Sequence, residues 1–410
     1  MVLSLDRHGG TRSSVTADGG DGVLHEPTFK AASAVRKGQG LLRNLPPNSL
    51  ERNTSDLSSL ILLAGSSHRD LAMKISELIG VPVAKASVSR FSDGEVSIQV
   101  NDSLRGQDVF VVQTCAAPVN DSIIELLLTV SCARRSGAKR VIAVIPYFGY
   151  KHHRRGSVVS TTYHSRFLSS GAMDFAKMLQ EMGVDRVISV DLQRPGQGQE
   201  ACFFDTSVPL EVVLSNEAMV RHLVNEVKLA ERIVVVSANT EGFKKARKFQ
   251  VGLLNSTASS VQLATFVSRE STGSGPIDTT KLELLGDNLH IDGADVLIVD
   301  DMVDTAGTLA VLSRHMQAAG ARNIYVVASH GVFTDQSMKL IEDCPVNRVF
   351  VTDSLPLPAN ASSKVEQVSI ARQLGHIILA EYFRTLSTTN EEKFLEDEWT
   401  EEEEGEETSK

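Results

Sequence analysis

Val296-Leu-Ile-Val-Asp-Asp-Met-Val-Asp-Thr-Ala-Gly-Thr-Leu309 is the stretch on which the reading of this 410-residue chain turns. Its first four residues, apolar and mostly β-branched, predict a buried parallel strand (Val296–Val299). Asp300 and Asp301 follow at the strand's carboxyl end, and a short polar loop runs from Asp304 to Thr308. Leu309, Leu312, Met316 and Ala319 then recur at helical spacing, and Gly320 closes that helix. A strand, a loop of small residues and a helix N-terminus form an anion cradle, because backbone N–H groups and the helix dipole converge there. Gly307 lets the backbone approach an oxyanion with no Cβ in between, while Thr305 and Thr308 add hydroxyl donors. Adjacent carboxylates suit sugar hydroxyls or a divalent cation. An Asp pair alone would also end an ordinary strand, but joined to Asp-Thr-Ala-Gly-Thr at this spacing it favours the cradle.

Composition sets the surroundings. A chain of 410 residues with 42% hydrophobic content can build two cores of ordinary size. No apolar run reaches the roughly 18 residues that span a bilayer, so no membrane association is expected. The formal charge of −10 is concentrated in residues 391–410, where eleven acids stand against two lysines. The nearly neutral remainder lacks the basic footprint of a nucleic-acid-binding surface. Cys115, Cys132, Cys202 and Cys344 show neither metal spacing nor a disulfide framework, which fits a reducing, cytoplasmic setting. Residues 1–56 are rich in Gly, Ser, Asn and Arg and carry no apolar signal segment. Their acids (Asp6, Asp18, Asp21, Glu26) argue against a mitochondrial-type leader, and they read as a disordered extension. Residues 388–410 read as an acidic disordered tail.

Between these ends, strands alternate with helices. Strands are expected from Leu60 and over Val81–Ser87, Asp108–Gln113, Arg140–Pro146, Asp185–Asp191, Arg232–Ser237, Leu263–Val267, Ile324–Ser329 and Val349–Thr352. Helices are expected over Asp70–Ile79, Asn120–Ser136, Ala172–Met182, Glu217–Val227, Glu241–Phe249 and Ser369–Leu386. The alternation predicts an α/β protein of two similar domains, each a parallel sheet flanked by helices, spanning 57–208 and 209–387. Asp93-Gly94 is a hairpin signal in its own right. The loop Tyr147-Phe-Gly-Tyr-Lys-His-His-Arg-Arg155 is cationic and follows a strand, which suits a phosphate or nucleotide as well as it suits solvent. His152-His153 as a metal pair is disfavoured, since adjacent loop residues seldom chelate one ion together.

Several stretches together resemble one family. Leu63-Ala-Gly-Ser-Ser-His68, Arg90-Phe-Ser-Asp-Gly-Glu95, Leu104-Arg-Gly-Gln-Asp-Val109, Val144-Ile-Pro-Tyr-Phe148 and Ala328-Ser-His-Gly-Val-Phe333 are similar to ribose-phosphate pyrophosphokinases (phosphoribosyl-pyrophosphate synthetases), as is the Asp300–Thr308 loop. The resemblance implies two type I phosphoribosyltransferase-like domains and a diphosphoryl transfer from Mg-ATP to ribose 5-phosphate. It implies that Asp300 and Asp301 orient the ribose, with a catalytic role shared by Arg269. Asp304, Thr305, Ala306, Gly307 and Thr308 would hold the 5-phosphate. Phe91, Asp93 and Glu95 would hold adenine across a subunit boundary, and Lys151, His152 and His153 would meet the triphosphate. Asp191, Gln193 and Asp205 would lie at the Mg²⁺ site. A homo-oligomer, dimer or hexamer, is implied as well. A phosphoribosyltransferase would share only the central loop.

The chain also departs from that pattern. Gln193 stands where the family has a His, and Gln offers Mg²⁺ only an uncharged oxygen. Ser237-Ala-Asn-Thr-Glu-Gly242 replaces Ser-Pro-Asp-Ala-Gly-Gly, turning a carboxylate into Asn239. Arg269-Glu-Ser271 keeps one of two cations of a Lys-x-Arg segment, and Lys244, Lys245 or Arg247 could supply the other. Two readings follow: an active, divergent synthetase, which the unbroken sugar-phosphate loop favours, or a non-catalytic associated subunit that modulates one.

Overall fold

β1 (Leu60–Ala64) is an unbroken apolar run, as a strand covered on both faces requires. It stands at the edge of a five-stranded parallel sheet of order β1-β4-β5-β6-β7, with β4 (Asp108–Val112), β5 (Arg140–Ile145), β6 (Arg186–Val190) and β7 (Leu210–Val213). Between β1 and β4, β2 (Ala86–Arg90) and β3 (Val96–Val100) form a separate antiparallel hairpin. The second sheet has the order β10-β9-β8-β11-β12-β13-β14. Its strands are β8 (Arg232–Ser237), β9 (Ser260–Ser268), β10 (Leu282–Leu285), β11 (Asp295–Val303), β12 (Asn323–Gly331), β13 (Arg348–Thr352) and β14 (Val365–Val368). All of its pairings are parallel except β10 on β9. The computed structural model describes residues 57–150, 171–192, 204, 207–268, 282–287, 289–334 and 336–384.

The helices are α1 (Arg69–Ile79), α2 (Val119–Arg135), α3 (Gly171–Glu181), α4 (Asn216–Glu226), α5 (Phe243–Ser256), α6 (Gly307–Ala318), α7 (Ser337–Asp343) and α8 (371–384). In α1 the buried residues Leu71, Ala72, Ile75 and Ile79 share one stripe, and left-handed Gly80 ends the helix by donating to Ser76 O. Strand periodicity divides the core. In β11, Val296 and Ile298 face the cluster that holds α6 and α7, whereas Leu297 and Val299 face the opposite one. That opposite cluster also takes Leu60 and Leu62 of β1, together with α1, α4, α5 and the α8 residues Leu374, Ile378 and Tyr382. One core therefore lies between the two sheets and belongs to both.

The alternation expected from sequence is present, but α7 was not expected, and the strand expected over Val81–Ser87 is a single bridge at Val83 with β2 beginning only at Ala86. β7 pairs with β6, so the first sheet continues past the boundary expected at 208/209. β7, β10 and β14 were not expected; each has only four residues and few fully buried side chains. β11 does not stop at Val299 but runs through both aspartates to Val303, with Asp300 opposite Ala328 of β12. Among the described residues no helix is long and apolar enough to cross a membrane. Cys115, Cys132 and Cys344 are free thiols.

Candidate active site

The end of β11 and the start of α6 enclose a cleft of about 120 Å³ lined by Asp300, Met302 and the run from Asp304 to Leu309. All seven residues assigned to the sugar phosphate from sequence, Asp300, Asp301 and Asp304 to Thr308, thus fall on one connection. Ala306 precedes α6 in the left-handed region (φ 61°, ψ 7°), a conformation that costs a residue with a Cβ about 1–2 kcal/mol. Ala306 has no polar side chain to cap α6, and among the described residues the one side-chain acceptor at its start is Thr305 Oγ1, 3.5 Å from Gly307 N, so the first-turn N–H groups suit an anion. Asp304 accepts a hydrogen bond from the Thr334 hydroxyl, and Val332 N and Phe333 N donate to Val303 O at 2.9 and 3.1 Å. The segment after β12 thereby braces the loop from behind.

Asp300 and Asp301 are half-buried. Burial, followed by the negative charge of Asp301, raises the pKa of Asp300 well above the ordinary carboxylate range. Asp300 Oδ1 accepts the Asp301 N–H at 2.8 Å, which offsets only part of that cost. Two adjacent carboxylates offer hard oxygen acceptors, as a site for a polyhydroxylated, cation-bound ligand should.

The corresponding turn of the first domain is closed. Ser66 N and Oγ donate to Glu125 at 2.6 and 2.5 Å, and Ser67 Oγ donates to Gln113 Oε1 at 2.7 Å. Glu125 is 2% exposed, and a Cβ on Gly65 would meet Gln113 Oε1 at 2.1 Å. The turn Leu63–His68 is thus held from within by the Glu125 carboxylate and the Gln113 amide.

Phe91, Asp93 and Glu95 occupy the exposed tip of the β2–β3 hairpin, with Phe91 57% exposed. The tip is closed by its own bonds, Phe91 N to Glu95 O at 2.9 Å and Glu95 N to Asp93 Oδ1 at 3.1 Å. Arg90 ties it to α2 through Asp121 at 3.2 Å. Lys151, His152, His153, Gln193, Asp205, Arg269 and Ser271, also given site roles from sequence, lie outside the described residues.

Asp191, assigned to the metal site from sequence, ends β6 at φ 41° and is buried. Its carboxylate accepts from the hydroxyls of Ser215 and Ser329, from Ser215 N at 3.3 Å, and from Lys245 Nζ at 3.4 Å. Burial alone would raise its pKa, but Lys245 and the two serines hold it below the ordinary value. Asn239 spends its side-chain oxygen on Gly242 N at 2.8 Å, closing the turn into α5. Sequence reasoning named Lys245 only as one of three possible cations, and gave Ser215 and Ser329 no role. Nothing in a linear pattern pairs residues that lie 54 and 138 positions from Asp191. Nearby, Tyr147 meets His330 edge-on at 5.0 Å, and Thr114 Oγ1 donates to Ser354 O at 2.7 Å across the two domains.

The parallel sheets and the strand–loop–helix junction that carries the Asp pair define a phosphoribosyltransferase-type α/β protein. Residues 60–183 match the family model for the N-terminal domain of ribose phosphate pyrophosphokinase, and residues 230–393 match that of the phosphoribosyl synthetase-associated domain. The ribose-phosphate pyrophosphokinase of Vibrio cholerae serotype O1 is 34% identical over 319 residues, 77% of this chain and 94% of its own length. That of Wolinella succinogenes is 32% identical over 328 residues, 78% of this chain and 95% of its own. The crystal structure of phosphoribosylpyrophosphate synthetase from Mycobacterium smegmatis superimposes with a TM-score of 0.65 at 26% identity, covering 80% of this chain and all of that one. The chain belongs to the ribose-phosphate pyrophosphokinase family.

Proposed function

We propose that the chain is a ribose-phosphate diphosphokinase, acting on ATP and ribose 5-phosphate to give phosphoribosyl pyrophosphate and AMP. The anomeric oxygen of the sugar attacks the β-phosphorus of ATP, the bridge to the α-phosphate breaks, and AMP leaves while the hydroxyl proton is released. The observation that carries this reading is the β11–α6 junction: Asp300 and Asp301 on the strand, the helix N-terminus of α6 after it, and left-handed Ala306 between. The first turn of α6 and the hydroxyls of Thr305 and Thr308 hold the 5-phosphate, and Asp300 and Asp301 accept from the ribose hydroxyls. Arg269 and the Lys151–His153 segment supply positive charge to the polyphosphate.

Mg²⁺ fits the Asp300–Asp301 pair, two adjacent hard oxygen ligands on β11 beside the sugar-phosphate loop. When bound there with substrate, it would neutralise charge on the reacting phosphates. The ring of Phe91 stacks on adenine and the carboxylates beside it accept from the exocyclic amine, with the hairpin reaching into a neighbouring copy. The 57% exposure of Phe91 on the hairpin tip supports that role, and with it a dimer or hexamer. A cytoplasmic site of action accords with free Cys115, Cys132 and Cys344.

Phosphorus NMR of the purified protein with ribose 5-phosphate, ATP and Mg²⁺ tests the reading. AMP and phosphoribosyl pyrophosphate should appear together and be absent when Asp300 and Asp301 are both changed to Ala. An inert protein that still binds ribose 5-phosphate would instead be the associated subunit.

A further inference from the structure

We infer that Lys245 is a resident cation that occupies the Asp191 carboxylate in place of a metal ion. The inference refines the site of the proposed kinase, but its geometry stands apart from that activity. Asp191 lies at the end of β6 in the first domain, Lys245 in the first turns of α5 and Ser329 on β12, both in the second domain. The side chains of Lys245 and Asp191 are 11% and 7% exposed. Burying an ammonium or a carboxylate alone costs several kcal/mol, so each must be satisfied by the other and by hydroxyl partners.

Lys245 Nζ meets both Asp191 Oδ2 and Ser329 Oγ, and Ser215 contributes its hydroxyl and its N–H to the same carboxylate. Oδ2 accepts from Lys245, Ser215 and Ser329, and Oδ1 from Ser215 N. Mg²⁺ requires about six oxygens at roughly 2.1 Å, and among the described residues the cation at Asp191 is already an ammonium. Among the described residues no group of three or more His, Cys, Asp or Glu side chains could hold a metal. Asn239, standing where the family pattern has a carboxylate, is turned into its own loop.

The test is a Mn²⁺ titration of the full chain with ribose 5-phosphate and a non-hydrolysable ATP analogue, with free ion read by electron paramagnetic resonance. Wild type and Asp191→Asn should bind the same number of ions; loss of one ion in the variant would overturn the inference. A urea-unfolding cycle gives a second reading that does not depend on the metal. Lys245→Met and Asp191→Asn should each lower the folding constant by about tenfold or more, and the double variant should lose less than the product of the two. Lys245→Arg should stay close to wild type. Independent, multiplicative losses would also overturn it. Product formation by the wild type reports separately on the kinase: an inactive protein with an unchanged ion count in Asp191→Asn would remove the proposed function and leave the role of Lys245 standing.

Discussion

Asp300 illustrates what the site demands of a single residue. Its folded-state pKa is raised, so the folded chain holds a proton where the unfolded chain has already released it. Stability of the ligand-free protein must therefore fall as pH rises from the ordinary carboxylate range through the raised value. Asp300→Asn removes that liability. In urea titrations the variant should be more stable than wild type by about 1–3 kcal/mol at pH 8, with the difference shrinking toward pH 4. A gap that does not change with pH would contradict the assignment. The same variant should form no phosphoribosyl pyrophosphate, trading activity for stability. Phe91 makes the opposite case, an exposed ring that supports nothing in its own chain. Phe91→Ala should raise KM for ATP about tenfold, from lost stacking, while leaving unfolding within about 0.5 kcal/mol of wild type. Steady-state kinetics beside a thermal melt would separate the two effects.

At the scale of the element, the junction of β11 and α6 was the most legible part of the chain and also the place where local rules mislead. The apolar run, the Asp pair and the small-residue loop announce a strand, a ligand site and a helix. Ordinary propensity nevertheless ends the strand before Asp300, since aspartate is disfavoured within a ladder. In the structure the ladder with β12 continues through it, as expected where a binding site overrides local preference. β7, β10 and β14 escaped notice because four residues with mostly half-exposed side chains carry too little periodicity to mark a strand. The Asp191 cluster escaped because its partners meet only after two domains have packed. Ala306 gives the junction a test of its own. Ala306→Gly suits the left-handed backbone and should change stability by no more than about 1 kcal/mol, whereas Ala306→Val should cost about 2 kcal/mol or more. Calorimetric titration with ribose 5-phosphate should show weakened binding in the Val variant alone.

The whole molecule is held by more than apolar contact between its halves. Glu381 of α8, buried, meets Arg140 at 3.2 Å, Arg186 at 3.0 Å and Arg384 at 3.3 Å, and Arg140 also grips Asp108 of β4. Among the described residues, removing the shared partner leaves Arg140 with Asp108 alone and Arg186 with Glu211 alone, at 3.8 Å. Glu381→Ala should therefore lower stability by about 1–2 kcal/mol in urea unfolding, with the midpoint shifted for probes in both domains at once. Two repeated α/β units could be read from the alternation of strands and helices, but their dependence on one another could not. It rests on the core between the sheets, where Leu60 and Leu62 share a cluster with Ile378, Tyr382 and Phe383. That sharing has a consequence for how the protein is made. The first strand and α1, which packs on the same face, leave the ribosome some three hundred residues before the C-terminal helix that completes their cluster. Throughout that interval part of the apolar cluster lacks its native cover, so the yield in the cell is bound to the speed of translation and the supply of chaperone.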